Sequence, residues 1–234
     1  MDIEIDAWYY FANNWAVPST PKFDRGPWNG KYLPPFSRRT SRVHIEPVAP
    51  RTAELDYEAY MGSVDHLVRN FWGKTEPMKS LAEYDGPWWE GGADWPTSDI
   101  TPDAGNLDAM SCWTNFGRGE AYSFAALTHD RTKQLGCTYF WPTVDGDDPY
   151  EAVNRVWVIE PELETDLDQH LLEETIAWVE EEWEFNRIIH QVPRTYQRGL
   201  DIAAAVGLKE VARKARPLGA RERSDDVCFQ WERP

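Results

Sequence analysis

Apolar residues alternate or recur along this chain in short, well-separated blocks. Val43-His44-Ile45-Glu46-Pro47-Val48 alternates and predicts a strand. From Glu54 to Phe71 the residues Leu55, Ala59, Tyr60, Val64, Leu67, Val68 and Phe71 return at helical spacing, so one amphipathic helix is expected there. Trp72 to Pro96 reads as a loop by its glycines and prolines. A second helix starts at Thr101, with proline at its first position and an apolar face of Leu107, Met110 and Trp113. Three strand-like runs follow: Ala121 to Leu127, Gln134 to Trp141 and Val153 to Ile159. The turn-rich Asp145-Gly146-Asp147-Asp148-Pro149 separates the last two.

The longest helical stripe is Leu167, Leu171, Leu172, Thr175, Ile176, Val179 and Trp183, within Asp166 to Trp183, with acids on the opposite face. Arg187 to Val192 is a short strand closed by Pro193. A helix over Tyr196 to Val206 ends at Gly207, a natural left-handed C′ position. Lys209 to Ala215 and Asp226 to Trp231 complete the chain as strands. The order β-α-α-β-β-β-α-β-α-β-β predicts an α+β fold, a mixed and mostly antiparallel central sheet flanked by helices. In such sheets a ligand crevice lies at the strand ends, beside a helix N-terminus.

Residues 1–42 lack any clean period. They hold Trp8, Tyr9, Tyr10, Phe11, Trp15, Trp28, Tyr32 and Phe36 among five prolines, and read as an arm lying on the 43–234 domain or on a neighbouring subunit.

Composition narrows the function. A net charge of −16 and a pI of about 4.7 repel phosphate backbones, so no nucleic acid partner is expected; cations are drawn instead. No apolar run reaches the length of a membrane span, and the acidic start lacks a signal peptide's positive region, which points to the cytoplasm. Cys112, Cys137 and Cys228 form no motif. The histidines His44, His66, His129, His170 and His190 are too scattered for a metal site.

The element order and lengths resemble the GNAT superfamily of acyl-CoA-dependent N-acyltransferases over residues 43–234. Asp56-Tyr57-x-Ala59, Asp94-Trp95-Pro96 and Leu135-Gly136-Cys137-x-Tyr139 are similar to an acetyltransferase-like branch of it. The family shows an apolar strand, then V-x-P, then a basic, glycine-rich turn whose N–H groups cradle the CoA pyrophosphate. Here Val156-Trp157-Val158-Ile159 is the strand, and Ile159-Glu160-Pro161 matches V-x-P. The turn departs from the pattern, with no glycine, no basic residue, and carboxylates at Glu160, Glu162, Glu164, Asp166 and Asp168. A like charge about 4 Å away costs roughly 1 kcal/mol in water and about 4 at a surface-like dielectric. The family's last helix carries an Asn and a Tyr that protonates the leaving thiolate. Aligned on Gly207, Tyr196 stands at the first and Ala203 at the second.

The resemblance implies transfer of an acetyl group from acetyl-CoA to an amine on a small molecule or peptide. It implies that Val158 and Ile159 orient the thioester and that Thr165, Asp166 and Leu167 hold phosphates. Tyr196 is the candidate acid, and Glu151 and His190 are the candidate bases. The departures leave a second reading open, a GNAT-like scaffold without acyl transfer that binds a cationic small molecule or a protein partner. The arm or the last strands offer a surface for a homodimer. Trp88-Trp89 with Glu83, Asp85 and Glu90 could hold a cation.

Overall fold

The computed structural model describes residues 26–74, 95–218 and 226–234. Strand β1 (Arg38–Arg39) turns back onto β2 (His44–Pro47), so the sheet begins inside the segment read as an arm. Helix α1 (Ala53–Met61) follows. Gly62 and Ser63 then interrupt what the apolar repeat predicts as one helix to Phe71. A short α2 (Val64–His66) runs directly into a π-helical turn (Leu67–Phe71), closed by Trp72 N–H on Leu67 C=O at 3.1 Å. The break has a tertiary cause: Ser63 Oγ accepts the Glu160 N–H at 3.0 Å, tying this point to the far side of the sheet.

Helix α3 (Pro102–Arg118) is capped as predicted, Thr101 Oγ1 accepting the Ala104 N–H at 3.2 Å. Its buried face keeps Trp113 of the predicted one but not Leu107 or Met110. Gly105, Ala109, Trp113 and Phe116 are buried, while Leu107 and Met110 are each 51% exposed. Gly105 decides the orientation, because a Cβ there would lie 2.7 Å from the Tyr60 hydroxyl and 2.8 Å from Tyr57 Cδ2. Helix α1 therefore packs against the glycine.

Strands β3 (Tyr122–Leu127), β4 (Gln134–Pro142) and β5 (Glu151–Val158) form an antiparallel meander. A 3₁₀ turn (Glu160–Thr165) leads into α4 (Leu167–Glu182), and β6 (Arg187–Val192) returns parallel to β5. Helix α5 (Gln197–Ala205) ends at Gly207, whose φ of 87° confirms the left-handed cap, before β7 (Lys209–Val211) and β8 (Val227–Glu232). The eight strands lie in the order β1-β2-β3-β4-β5-β6-β8-β7, with β5/β6 the parallel pair. The fold is thus the mixed, mostly antiparallel α+β sheet expected from the sequence.

The largest buried side chains of the core are mostly aromatic. Phe124 meets Trp178 of α4 at 4.9 Å, Trp183 stacks on Phe185 at 5.0 Å, and Trp28 stacks on Tyr122 at 4.9 Å. Each fully buried ring of this size stabilises by about 1.5–3 kcal/mol. Tyr32 and Phe36 also pack on this body, against Trp183 and Trp113. Among the described residues no helix is long and apolar enough to cross a membrane.

Candidate functional site

The parallel pair carries the site. Strands β5 and β6 are in register from Glu151↔Arg187 to Asn154↔His190, and there the ladder ends. Beyond that point β6 stays with β8 (Gln191↔Cys228, Val192↔Val227), while β5 stays with β4 (Val156↔Thr138, Val158↔Gly136). The Ile159 N–H bonds Leu135 C=O at 2.8 Å, so odd-numbered residues here turn their main chain toward β4. Strand alternation then turns Val156 and Val158 toward the gap, without a strand partner on β6. The gap opens into a narrow cleft between β5, β6, α2 and the first turns of α4 and α5.

Three polar groups on its walls are fixed by their neighbours. Asn154 Nδ2 donates to Thr138 Oγ1 (3.1 Å) and Tyr139 C=O (2.9 Å), which leaves Asn154 Oδ1 as an acceptor. His190 Nδ1–H donates to it at 2.8 Å, and Nε2 keeps its lone pair. Burial, then the Arg155 charge, push His190 down to a pKa of about 3, so the ring is neutral. His66 Nδ1 accepts from Asn70 Nδ2 at 2.8 Å, and its ring also bonds the Val158 main chain; burial lowers its pKa. Tyr196 sits edge-on to His66, ring centroids 6.4 Å apart. Burial, then the Asp168 charge, raise its phenol to about 12, so it holds its proton at neutral pH. Gly199 makes room for that ring, since a Cβ there would lie 2.5 Å from Tyr196 Cδ1.

At the mouth of the cleft the acidic turn meets arginines from elsewhere in the chain. Arg198 of α5 donates Nε to Asp168 Oδ2 at 2.7 Å and Nη2 to Asp168 Oδ1 at 2.9 Å, and reaches Asp166 Oδ1 at 3.1 Å. Asp168 Oδ1 also accepts the Gln169 N–H at 3.0 Å, so a carboxylate already takes up one main-chain N–H in the first turn of α4. Arg42, between β1 and β2, donates to Thr165 Oγ1 at 2.9 Å. The positive charge missing from the turn is therefore supplied by α5 and the first hairpin.

The residues singled out by sequence fall into two groups. Val158, His190 and Tyr196 line the cleft. Asp166 is held by Arg198 and Thr165 is bonded by Arg42 of the first hairpin, neither lining the cleft, and buried Leu167 anchors α4 in the core. The Ile159 N–H is committed to β4. Glu151 is separated from the cleft: it lies five residues before Val156, about 16 Å along the strand. Its fully buried carboxylate is held by Arg187 Nη1 at 2.9 Å and Arg213 Nη2 at 2.6 Å, so it is a structural acid and not a base for this site. His66, Asn70 and Arg198 carried no local signal. Trp88-Trp89 with Glu83, Asp85 and Glu90 lie outside the described residues.

A mixed sheet whose parallel pair splays beside a helix N-terminus is the GNAT acyltransferase fold, and this chain has it in divergent form. The ribosomal-protein-S5-alanine acetyltransferase from Vibrio fischeri is similar, with a TM-score of 0.60 at 13% identity over 85% of this chain and 97% of that one. Mycobacterium smegmatis RimJ, solved with a CoA disulfide, gives 0.59 at 16% identity over 81% of each chain. A RimL ribosomal L7/L12 α-N-protein acetyltransferase in complex with coenzyme A gives 0.53 at 11% identity, covering 83% and 96%. No protein-family model and no curated protein matches the sequence.

Proposed function

We propose that this chain is an acyl-CoA-dependent N-acetyltransferase acting on an amine acceptor, with the acyl donor seated in the β5/β6 cleft. One observation carries the reading. Strand β5 parts from β6 after Asn154, leaving the Val156 N–H and C=O and the Val158 N–H as an edge on which an extended amide chain can pair, the Val158 C=O being taken by His66.

Acetyl-CoA supplies the activated acetyl group. Val156 and Val158 align the donor by main-chain hydrogen bonds. Arg198 and Arg42 provide the positive charge for a diphosphate at the first turn of α4, in place of a basic glycine-rich turn. Tyr196, a protonated phenol at neutral pH, is the proton donor for the departing sulfur, and the proton lost by the acylated nitrogen returns to it, so the phenol is restored in each turnover. His190 is too weak a base to deprotonate an ammonium and instead offers Nε2 as a hydrogen-bond acceptor, so the acceptor reacts as the free amine. A net charge of −16 favours cationic acceptors in the encounter.

The test is thiol release from acetyl-CoA with a panel of polyamines, aminoalkyl compounds and short peptides with free N-termini. Amine-dependent release supports the reading. Tight acetyl-CoA binding with no release for any amine would favour a scaffold that has lost transfer.

A further inference from the structure

We propose that Arg155 is the wedge that holds this cleft open: with Gln191 and Asp226 it stops β5 and β6 from pairing beyond Asn154 and His190. The proposal concerns a positioning residue for the site proposed above. Its relevance to acyl transfer rests on that reading, whereas its structural content does not.

Local preference favours closure. The next positions beyond the ladder would be Arg155 beside Gln191, then Val156 beside Val192, a β-branched pair that suits a strand. Pro193 ends β6 there, so this one step, the Val156 N–H on the Gln191 C=O, is the closure available. Something must oppose it. Arg155 is 5% exposed, and its guanidinium draws partners from three directions. Nη1 donates to Phe71 C=O at 2.6 Å, and Nη2 donates to Gln191 Oε1 at 3.2 Å and to the Asp226 carboxylate. Gln191 is held in turn by its Nε2 on Ala215 C=O at 2.5 Å, and Lys214 bonds the Asp226 main chain.

The π-helical turn serves the same end. It delivers the Phe71 carbonyl to the guanidinium, and the Phe71 and Trp72 rings cover it with centroids 5.5 and 5.3 Å away. Drawing β6 onto β5 would pull Arg155 from one of these acceptors and leave a buried charge short of partners. The gap is therefore the arrangement that satisfies the guanidinium.

The test is amide hydrogen exchange by NMR on the full ¹⁵N-labelled chain, without ligand. In the wild type the Val156 and Val158 amides should exchange faster than Trp157, whose main chain faces β4. In the double variant Arg155→Met/Asp226→Asn, which leaves no lone buried charge, the Val156 amide should slow by roughly tenfold or more, the worth of one net hydrogen bond. Trp157 should not change. Nor should Val158, which has no residue of β6 opposite it, because Pro193 ends the strand and the Pro193 C=O is taken by the Tyr196 N–H at 2.9 Å. Acetyl-CoA binding should be lost. A wild-type exchange rate at Val156 in the folded variant overturns the proposal.

Should the double variant not fold, Arg155→Lys keeps the charge but cannot serve three acceptors at once. It should give intermediate protection at Val156, and wild-type rates there overturn the proposal equally. Protection of Val156 equal to that of Trp157 in the wild type does so without any variant. A chain that shows the expected exchange but never binds acetyl-CoA loses the acetyltransferase reading and keeps the wedge.

Discussion

Arg198 grips Asp168 through two hydrogen bonds, Nε to Oδ2 at 2.7 Å and Nη2 to Oδ1 at 2.9 Å, reaching from α5 to the first turn of α4. The same carboxylate takes the Gln169 N–H. An internal anion thus holds the place where an external one is expected, and a diphosphate must compete with Asp168 for Arg198.

Two variants separate the partners. Arg198→Gln should weaken acetyl-CoA binding by about 10- to 100-fold, the worth of a charge-assisted hydrogen bond. Asp168→Asn should strengthen it by freeing the arginine. Titration at low and high ionic strength checks both, with the gain in Asp168→Asn shrinking as salt rises. Equal losses in the two variants would mean that the ion pair itself, not the freed arginine, is what binding requires.

Tyr196→Phe should lower kcat by roughly 100-fold or more while leaving KM for the donor nearly unchanged, as expected for a lost general acid. The phenol keeps its proton until the pH nears 12. A kcat profile in the wild type should therefore show no decline from this group between neutral and mildly alkaline pH. A decline centred near the ordinary tyrosine value of about 10 would contradict the assignment.

Much of the fold is legible in the chain because periodicity survives wherever one face packs. The strand Arg187–Val192 and the stripe of α4 sit where the apolar positions place them. The face of α3 was legible at Trp113 alone, since Gly105 admits Tyr57 and Tyr60 and turns Leu107 and Met110 outward. The site was half legible. Val158, His190 and Tyr196 line the cleft because strand order brings them there. Arg198 lies 30 residues from Asp168 and Arg42 lies 123 from Thr165, so no local motif could pair them. Glu151 read as a strand-end carboxylate because Arg187 and Arg213, which seal it, come from β6 and from just beyond β7.

Glu151→Gln should destabilise the protein by about 2–3 kcal/mol, less than a fully buried pair because both arginines keep access to water. Any transfer activity per folded molecule should be unchanged. Chemical denaturation and the acetyl-CoA assay together check this, and a loss of kcat at unchanged stability would return Glu151 to the reaction.

Asp56 lies buried between α1 and β4, accepting from Gln134 Nε2, and burial raises its pKa to about 6. Below about pH 4 both folded and unfolded chains hold this proton. As pH rises toward 6 only the unfolded chain has released it, so stability falls across that window and levels off above. The loss amounts to about 2–3 kcal/mol. Asp56→Asn keeps the acceptor without the charge. It should raise Tm at pH 7.5 by on the order of 5 °C and have little effect at pH 4. A lower Tm at pH 7.5 would show that the carboxylate is needed in its ionised form.

The central claim is that the β5/β6 cleft is an acyl-CoA site served by Arg198, and isothermal titration of the full chain with acetyl-CoA tests it most directly. The account predicts saturable binding at one site per chain, weakened by Arg198→Gln. An absence of heat at high micromolar acetyl-CoA, or binding indifferent to Arg198→Gln, would contradict it.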